Sequence, residues 1–297
     1  MLSASRFLKE SWAYHDFSSP LCCLMKDYPI SPLSMIRSIW IHRYLIWNLT
    51  CREVLGRYKG SLLGVLWSFV TPVLMLVIYT FVFRTAFNAK WSDQYTNSAG
   101  IFSLILFIGL IIFFLFSESV TKAPTLITGN TNFVKKIVFP LEVLPVVIIG
   151  ASIFHAFISV LVWFFGYSLI DGAPPLTTLL LPLIIAPLIF FTLGLSWLLA
   201  SLGVYLRDIS QFIGVACQAL MFMAPIFYPV SALPEKYQWI IKLNPLTEII
   251  EQARGCLLLG VFPNWHTLLT TYLLAFLAAW FGYVWFQKTR KGFADVL

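Results

Sequence analysis

The sequence predicts an all-α integral membrane protein with six transmembrane helices, an N-terminal amphipathic interface helix and external re-entrant helices. Three observations lead there. Only 11% of the 297 residues are charged and 59% are hydrophobic, whereas an ordinary soluble domain carries about 25% charged residues. A soluble surface of this size could not be covered by so little charge, so apolar surface has to face lipid. Uncharged runs recur at Leu62–Phe83, Ile101–Ser117, Val143–Ile170, Gly172–Leu206, Ile209–Pro234 and Gly255–Gln287. A hydrocarbon core of about 30 Å is crossed by about 20 apolar helical residues. The roughly ten-residue alternating strands of a membrane barrel are absent from the pattern.

Taken in order, residues 1–33 form an N-terminal extension with Arg6, Lys9 and Lys26 but no continuous apolar core, so no cleavable signal peptide is read there. A loose cytosolic cover is its default reading. Residues 34–60 form the interface helix. Ile36, Trp40, Tyr44, Trp47, Cys51, Val54 and Tyr58 recur at steps of three and four and trace one helical face, with Arg37, Arg52, Arg57 and Lys59 off it. Such a helix lies in the headgroup layer, where Trp and Tyr rings are favoured. It serves either as an anchor for the first span or as a surface for an anionic headgroup or a cytoplasmic partner.

The transmembrane domain covers 61–290, with spans placed at 62–83, 101–120, 141–170, 176–204, 210–231 and 267–286. Ala173-Pro174-Pro175 reads as the loop opening the fourth span, and Pro263-Asn264-Trp265 as the break before the sixth. Between the last two spans, 235–262 reads as an external re-entrant segment. Pro245 stands near a helix start, Glu248 and Glu251 follow in its early turns, and Glu251 and Arg254 are spaced to pair. Cys256–Phe262 is apolar but too short to span, which suits short helices dipping back into the outer leaflet. A helix lying on the surface is the plainer reading. Residues 288–297 form a cytoplasmic tail.

With six spans both termini share one side. Placing them in the cytoplasm puts 15 of the 20 Lys and Arg inside, as the positive-inside rule favours. The basic second connection, Thr121–Pro140 with Lys135 and Lys136, is helix-compatible and suits an element pushed by a cytosolic partner, or is simply a basic loop. Arg207 and Asp208 stand at the next, very short inside junction, able to cap or pair locally.

Several function classes drop out. The net charge of +7 is explained by topology, so no nucleic-acid role is needed. Cys22, Cys23, Cys51, Cys217 and Cys256 form no CxxC, the four His are scattered, and no metal site is read. No G-x-x-x-x-G-K-[ST] motif is present, so no phosphate-binding loop belongs to this chain. Intramembrane ionisable groups, which couple ion-driven carriers, are nearly absent. Glu118 and Glu142 sit at span ends and His155 is the one deep His, best read as a helix–helix hydrogen bonder. An enzyme on lipid-linked sugars would need grouped acids, and only a meeting of Glu118 with Glu142 would supply them. Energy for uphill movement would then come from a separate ATPase. Aromatic faces suited to a sliding sugar chain include Trp67, Phe69 and Tyr79 in the first span and Phe222, Phe227 and Tyr228 in the fifth.

Four stretches carry a resemblance: REVLGRYKGSLLGVLWSFVTPVLMLVIYTFVF (52–83), VKKIVFPLEVLPVV (134–147), GVYLRDISQFIGVACQALMFMAPIFYPVSALP (203–234) and LNPLTEIIEQARG (243–255). In this order they resemble the permease subunits of ABC-2 type exporters of O-antigen and related polysaccharides. The extension 1–33 has no counterpart in that pattern. The resemblance implies a homodimeric channel, not itself an enzyme, driven by two copies of a cytosolic ATPase that binds ATP and Mg while this chain holds no cofactor. Its cargo would be polysaccharide on undecaprenyl pyrophosphate, moved across the bacterial inner membrane. Arg52, Arg57 and Lys59 would attract the pyrophosphate, since each cation near an anionic surface contributes about 1 kcal/mol. Lys135, Lys136, Arg207 and Asp208 would couple to the ATPase, and Glu248, Glu251 and Arg254 would belong to an external gate. A teichoic-acid or capsule exporter, and a small-molecule or drug exporter, are the alternatives within transport. A membrane scaffold is the alternative outside it.

Overall fold

The structure is a computed structural model that describes residues 29–82, 99–134 and 139–297. Most of the N-terminal extension, the end of the first predicted span at Phe83, and Lys135 and Lys136 lie outside the described residues. Among the described residues the chain is all-helical, without strands.

The interface helix is two helices rather than one, α1 (Pro32–Ile41) and α2 (Arg43–Arg57). Ser31 caps α1, accepting from the Ser34 amide, with Pro32 preset for the first turn. At His42 the ring Nδ1 lies 2.8 Å from the Ser38 carbonyl that also accepts the His42 backbone N–H. Side chain and backbone converge on one acceptor, and the helix bends there. The predicted aromatic face divides accordingly. Ile36, Trp40, Tyr44 and Trp47 are exposed, and the Arg43 guanidinium lies 5.3 and 4.6 Å from the Trp40 and Tyr44 rings. Val54 is buried and Cys51 and Tyr58 are partly so, because α2 there lies against a spanning helix.

Gly60 (φ 85°) and Gly64 (φ 52°) turn the chain out of α2 into α3 (Trp67–Phe81). Among the described residues five helical stretches are long and apolar enough to cross a membrane: Gly64–Phe81, Gly100–Thr125, Val143–Ile170, Leu176–Tyr205 and Trp265–Gly292. They hold α3, α4 (Ala99–Lys122), α6 (Val143–Ile170), α7 (Leu181–Tyr205) and α11 (Trp265–Thr289). A one-turn α5 (Thr131–Val134) lies in the connection after α4. The predicted fifth span, 210–231, is divided. Its helix α8 (Ile209–Met223) has 15 residues, about 22 Å at 1.5 Å each, which is short of the hydrocarbon core. Ala224 is extended (ψ 148°), as the residue before Pro225 prefers, and the helix stops there.

Burial ranks the helices. In α4 78% of the apolar window is buried, against 6% in α3. The central helix is therefore α4, touching α3, α6, α7, α8 and α10 (Pro245–Leu258), while α3 and much of α8 present apolar side chains outward. Indole N–H groups at depth find partners, Trp163 on the Leu104 carbonyl and Trp197 on that of Glu142.

A close seam joins α7 to α11. A Cβ on Gly194 or Gly282 would collide with the facing backbone, so only small residues let these helices meet. Beyond α11, the last turn α12 (Phe293–Val296) folds back with Phe293 buried against Tyr205 and Phe286. Gly282→Val is expected to force the seam apart and destabilise the chain by about 3 kcal/mol or more. Thermal melting of the detergent-solubilised protein reads this as a fall in Tm, and an unchanged Tm would mean the seam is not close-packed.

Candidate functional site

The cations at the end of α2 have different fates. Arg57 turns inward. Its Nη2 pairs with Glu118 Oε1 near the end of α4, and its Nη1 lies 3.0 Å from His155 Nδ1 on α6. His155 Nδ1 is also 3.2 Å from Glu118 Oε2, and the Tyr58 hydroxyl is 3.1 Å from His155 Nε2. Lys122 stands 3.6 Å from Glu118 and 3.1 Å from Glu53. Three elements thus meet through one charged cluster. Whether His155 donates to Glu118 or accepts from Arg57 depends on its tautomer, since Nδ1 faces both. Arg52 and Lys59 remain exposed, with no ion pair among the described residues.

This cluster floors a cleft of about 710 Å³ between α3, α4, α6 and α8. The walls are mostly apolar, including Pro72, Met75, Phe107, Ile111, Phe113 and Met221, with Ser68, Thr71 and Gln218 among them. Such a cleft accepts a hydrocarbon chain along its walls and a polar head at its floor. Along its α3 and α8 sides few residues are buried, so the cleft is open there.

Glu142 belongs to a separate group. It pairs with Arg290 Nη1 at 2.6 Å and accepts from Ser38 Oγ at 3.0 Å, while Arg290 Nη2 donates to the Phe139 carbonyl. That group ties α1, the start of α6 and the end of α11 together. Glu118 and Glu142 therefore form no paired-acid site, and each is neutralised by its own arginine.

At this same end a groove of about 410 Å³ runs between the α4–α5 connection and the α7–α8 junction. Pro124, Thr125, Thr128, Tyr205, Arg207 and Ser210 line it. Arg207 and Asp208 are exposed, and the Asp208 side chain caps nothing at the start of α8. Lys135 and Lys136, expected beside them, lie outside the described residues.

The opposite end is organised by Arg254, which is buried on α10. Its Nε donates to the Ile105 carbonyl at 3.2 Å, Nη1 to that of Pro225 at 2.6 Å and Nη2 to that of Ile226 at 3.0 Å. Glu251 lies 3.6 Å away, the pairing its spacing predicts, and Glu248 accepts from Gln252 at 2.7 Å. Two short helices, α9 (Glu235–Lys242) and α10, are anchored here, and Asn244 caps the second. Among the candidate channel aromatics, Trp67, Phe69 and Phe222 are exposed and Tyr79, Phe227 and Tyr228 partly so. Phe222 and Phe227 stack at 5.8 Å, and the Tyr228 hydroxyl donates to the Phe222 carbonyl. That contact ties the aromatics around the break after α8.

Sequence reasoning valued Arg57 but missed its partners Glu53, Glu118, Lys122 and His155 as one site. A signal existed: Glu53/Arg57 and Glu118/Lys122 are both acid-then-base pairs four residues apart, set at the two ends that meet.

A chain that is all-helical among its described residues, with several helices long and apolar enough to cross a membrane and an open cleft between them, is of the multi-pass membrane-protein class. The ABC-2 type transporter family model matches residues 44–258, and the chain belongs to that family. It is 29% identical over 251 residues to the O-antigen export system permease protein RfbA of Klebsiella pneumoniae, covering 84% of this chain and 93% of that one. The RfbA of Myxococcus xanthus is 23% identical, covering 89% and 99%. A capsule polysaccharide export inner-membrane protein, CtrC of Neisseria meningitidis serogroup B, is 23% identical, covering 87% and 96%.

Arg254→Leu leaves the Pro225 and Ile226 carbonyls unpaired in an apolar setting and is expected to cost about 3–5 kcal/mol. Arg254→Lys should restore little, because one ammonium cannot span three carbonyls. Melting of the solubilised chain checks both, and full rescue by Lys would show that charge alone suffices.

Proposed function

We propose that this chain is the channel-forming permease of an ATP-driven exporter that moves undecaprenyl-pyrophosphate-linked polysaccharide, O-antigen in particular, from the cytoplasmic to the outer side of the bacterial inner membrane. The observation that carries this reading is the similarity, over nearly their whole length, to permeases named for O-antigen export. The chain supplies the path and a separate ATPase supplies the energy, in keeping with the lack of a phosphate-binding loop. Two copies of the chain pair with two ATPase subunits, which bind ATP and Mg.

In this reading both termini are cytoplasmic. The segment after α8 completes a sixth crossing, and α9 and α10 are the external re-entrant pair, with Glu248, Glu251 and Arg254 at the gate. Arg52 and Lys59, exposed at the interface helix, draw the lipid-linked headgroup to the cleft that Arg57 floors. The groove lined by Arg207, with Asp208 and the connection bearing Lys135 and Lys136, receives the ATPase. Closure of the ATPase pair then moves these elements as rigid bodies and shifts the spans against one another. Trp67, Phe69, Tyr79, Phe222, Phe227 and Tyr228 offer flat faces to the passing glycan. Capsule export is the second reading, favoured by the similarity to CtrC.

A strain lacking the gene should lose surface polymer and accumulate lipid-linked glycan inside, with wild type restoring both on blots of the two pools. Arg52→Ala/Lys59→Ala should complement at no more than about one-fifth of wild-type rate at normal protein levels, since each cation contributes about 1 kcal/mol. Normal surface glycan in the deletion strain would exclude polysaccharide export. Full complementation by the double variant would return Arg52 and Lys59 to topology alone.

A further inference from the structure

We propose that Glu118 is an exchangeable internal ligand of Arg57, holding the place that a phosphate-headed lipid takes when it enters the cleft. The inference deepens the reading above and rests on it for the lipid's identity, a polyprenyl phosphate or diphosphate. The geometry comes first. Arg57 is the one guanidinium lining the cleft, and both its terminal nitrogens are engaged at the floor, by Glu118 and by His155. Arg57 is also the more accessible partner, its side chain 36% exposed against 18% for Glu118. A phosphate arriving from the cleft therefore meets the cation before the carboxylate. A guanidinium binds phosphate oxygens through the same paired N–H geometry that it offers a carboxylate.

Exchange of this kind fails when the displaced carboxylate is left buried without a partner. Here it is not. Glu118 has two further seats already in place, Lys122 at 3.6 Å and His155 at 3.2 Å. Lys122 in turn is shared with Glu53 at 3.1 Å, so it can lean toward either acid. Lys122 would take up the carboxylate as the phosphate takes Arg57, and Tyr58 and His155 would stay beside the head as hydrogen-bonding groups. Apolar residues above the floor receive the lipid chain, and the cleft is open along α3 and α8 for it to enter. An uncharged polyprenol fits the same walls but cannot displace the carboxylate. The cluster thus selects for the charged head rather than for the chain.

The test is lipid retention by the full chain with its ATPase partner. The complex is reconstituted in phosphatidylcholine discs doped with undecaprenyl phosphate, undecaprenol or phosphatidylglycerol, and co-purified lipid is counted by mass spectrometry. Wild type should retain undecaprenyl phosphate over undecaprenol. Glu118→Gln removes the competing charge and should raise that ratio about fivefold to tenfold, while Arg57→Gln should bring it to about one. Lys122→Gln, which removes the carboxylate's alternative seat, should lower the ratio, and it serves if Glu118→Gln fails to assemble. An unchanged or lowered ratio in Glu118→Gln, or an unchanged one in Lys122→Gln, would reduce the cluster to a helix tie. Equal retention of phosphatidylglycerol and undecaprenyl phosphate would assign the floor to bulk phospholipid and overturn the proposal. Export and retention fail separately: normal surface glycan in a deletion strain removes the polysaccharide reading, and a flat ratio in a strain that exports normally removes only the exchange.

Discussion

Backbone groups at membrane depth have no water to bond, so a break in an apolar helix needs other groups to take over its carbonyls. The break after α8 shows the constraint most fully. Met223 ends the helix, the chain is extended at Ala224 and turns at Pro225 and Ile226, and the carbonyls released there are met by Arg254 from another element. Smaller instances surround it. Thr177 donates to the Cys256 carbonyl, Thr247 to that of Ile241, and Cys256 Sγ to that of Val261. The position of α10, and with it the whole segment between α8 and α11, depends on these contacts.

Charge follows a similar economy at the other end. Two arginines from segments flanking the spans, Arg57 and Arg290, each neutralise a carboxylate near a helix end, and each thereby joins elements far apart in sequence. An isolated carboxylate there would be costly, and a pair with further hydrogen bonds is tolerable. The two groups are not equivalent. Arg290 and Glu142 are both largely enclosed and act as a lock between α1, α6 and α11. Arg57 and Glu118 open onto a cleft and share Lys122 and His155, so their pairing has alternatives at hand.

Much of this was legible in advance. Apolar run length gave the class, and turn residues gave two boundaries: Pro245 opens α10 behind its cap Asn244, and Asn264 of the Pro263-Asn264-Trp265 break caps α11. Two readings came out differently. The interface segment has regular apolar spacing through His42, yet it bends there because a side-chain contact competes with the backbone ladder, which periodicity does not register. The run 210–231 is apolar throughout, and hydropathy alone does not see that Pro225 stops the helix after 15 residues. The spacing of Arg254 from Glu251 gave their pairing, but not its bonds to the Ile105, Pro225 and Ile226 carbonyls, which lie far away in sequence.

The sequence by itself determined that the chain has apolar runs long enough to cross a membrane and that its described residues are helical. These are properties of composition and spacing, which act locally along the chain. Only the tertiary structure decided which helix is central, which apolar faces stay outward, and which charges meet. Arg57, Glu118 and His155 are separated by 61 and 37 positions, and their junction depends on α2 crossing α6 where Gly150 admits Thr50. No local pattern encodes that crossing, because it results from packing surfaces that become complementary only when the helices are assembled.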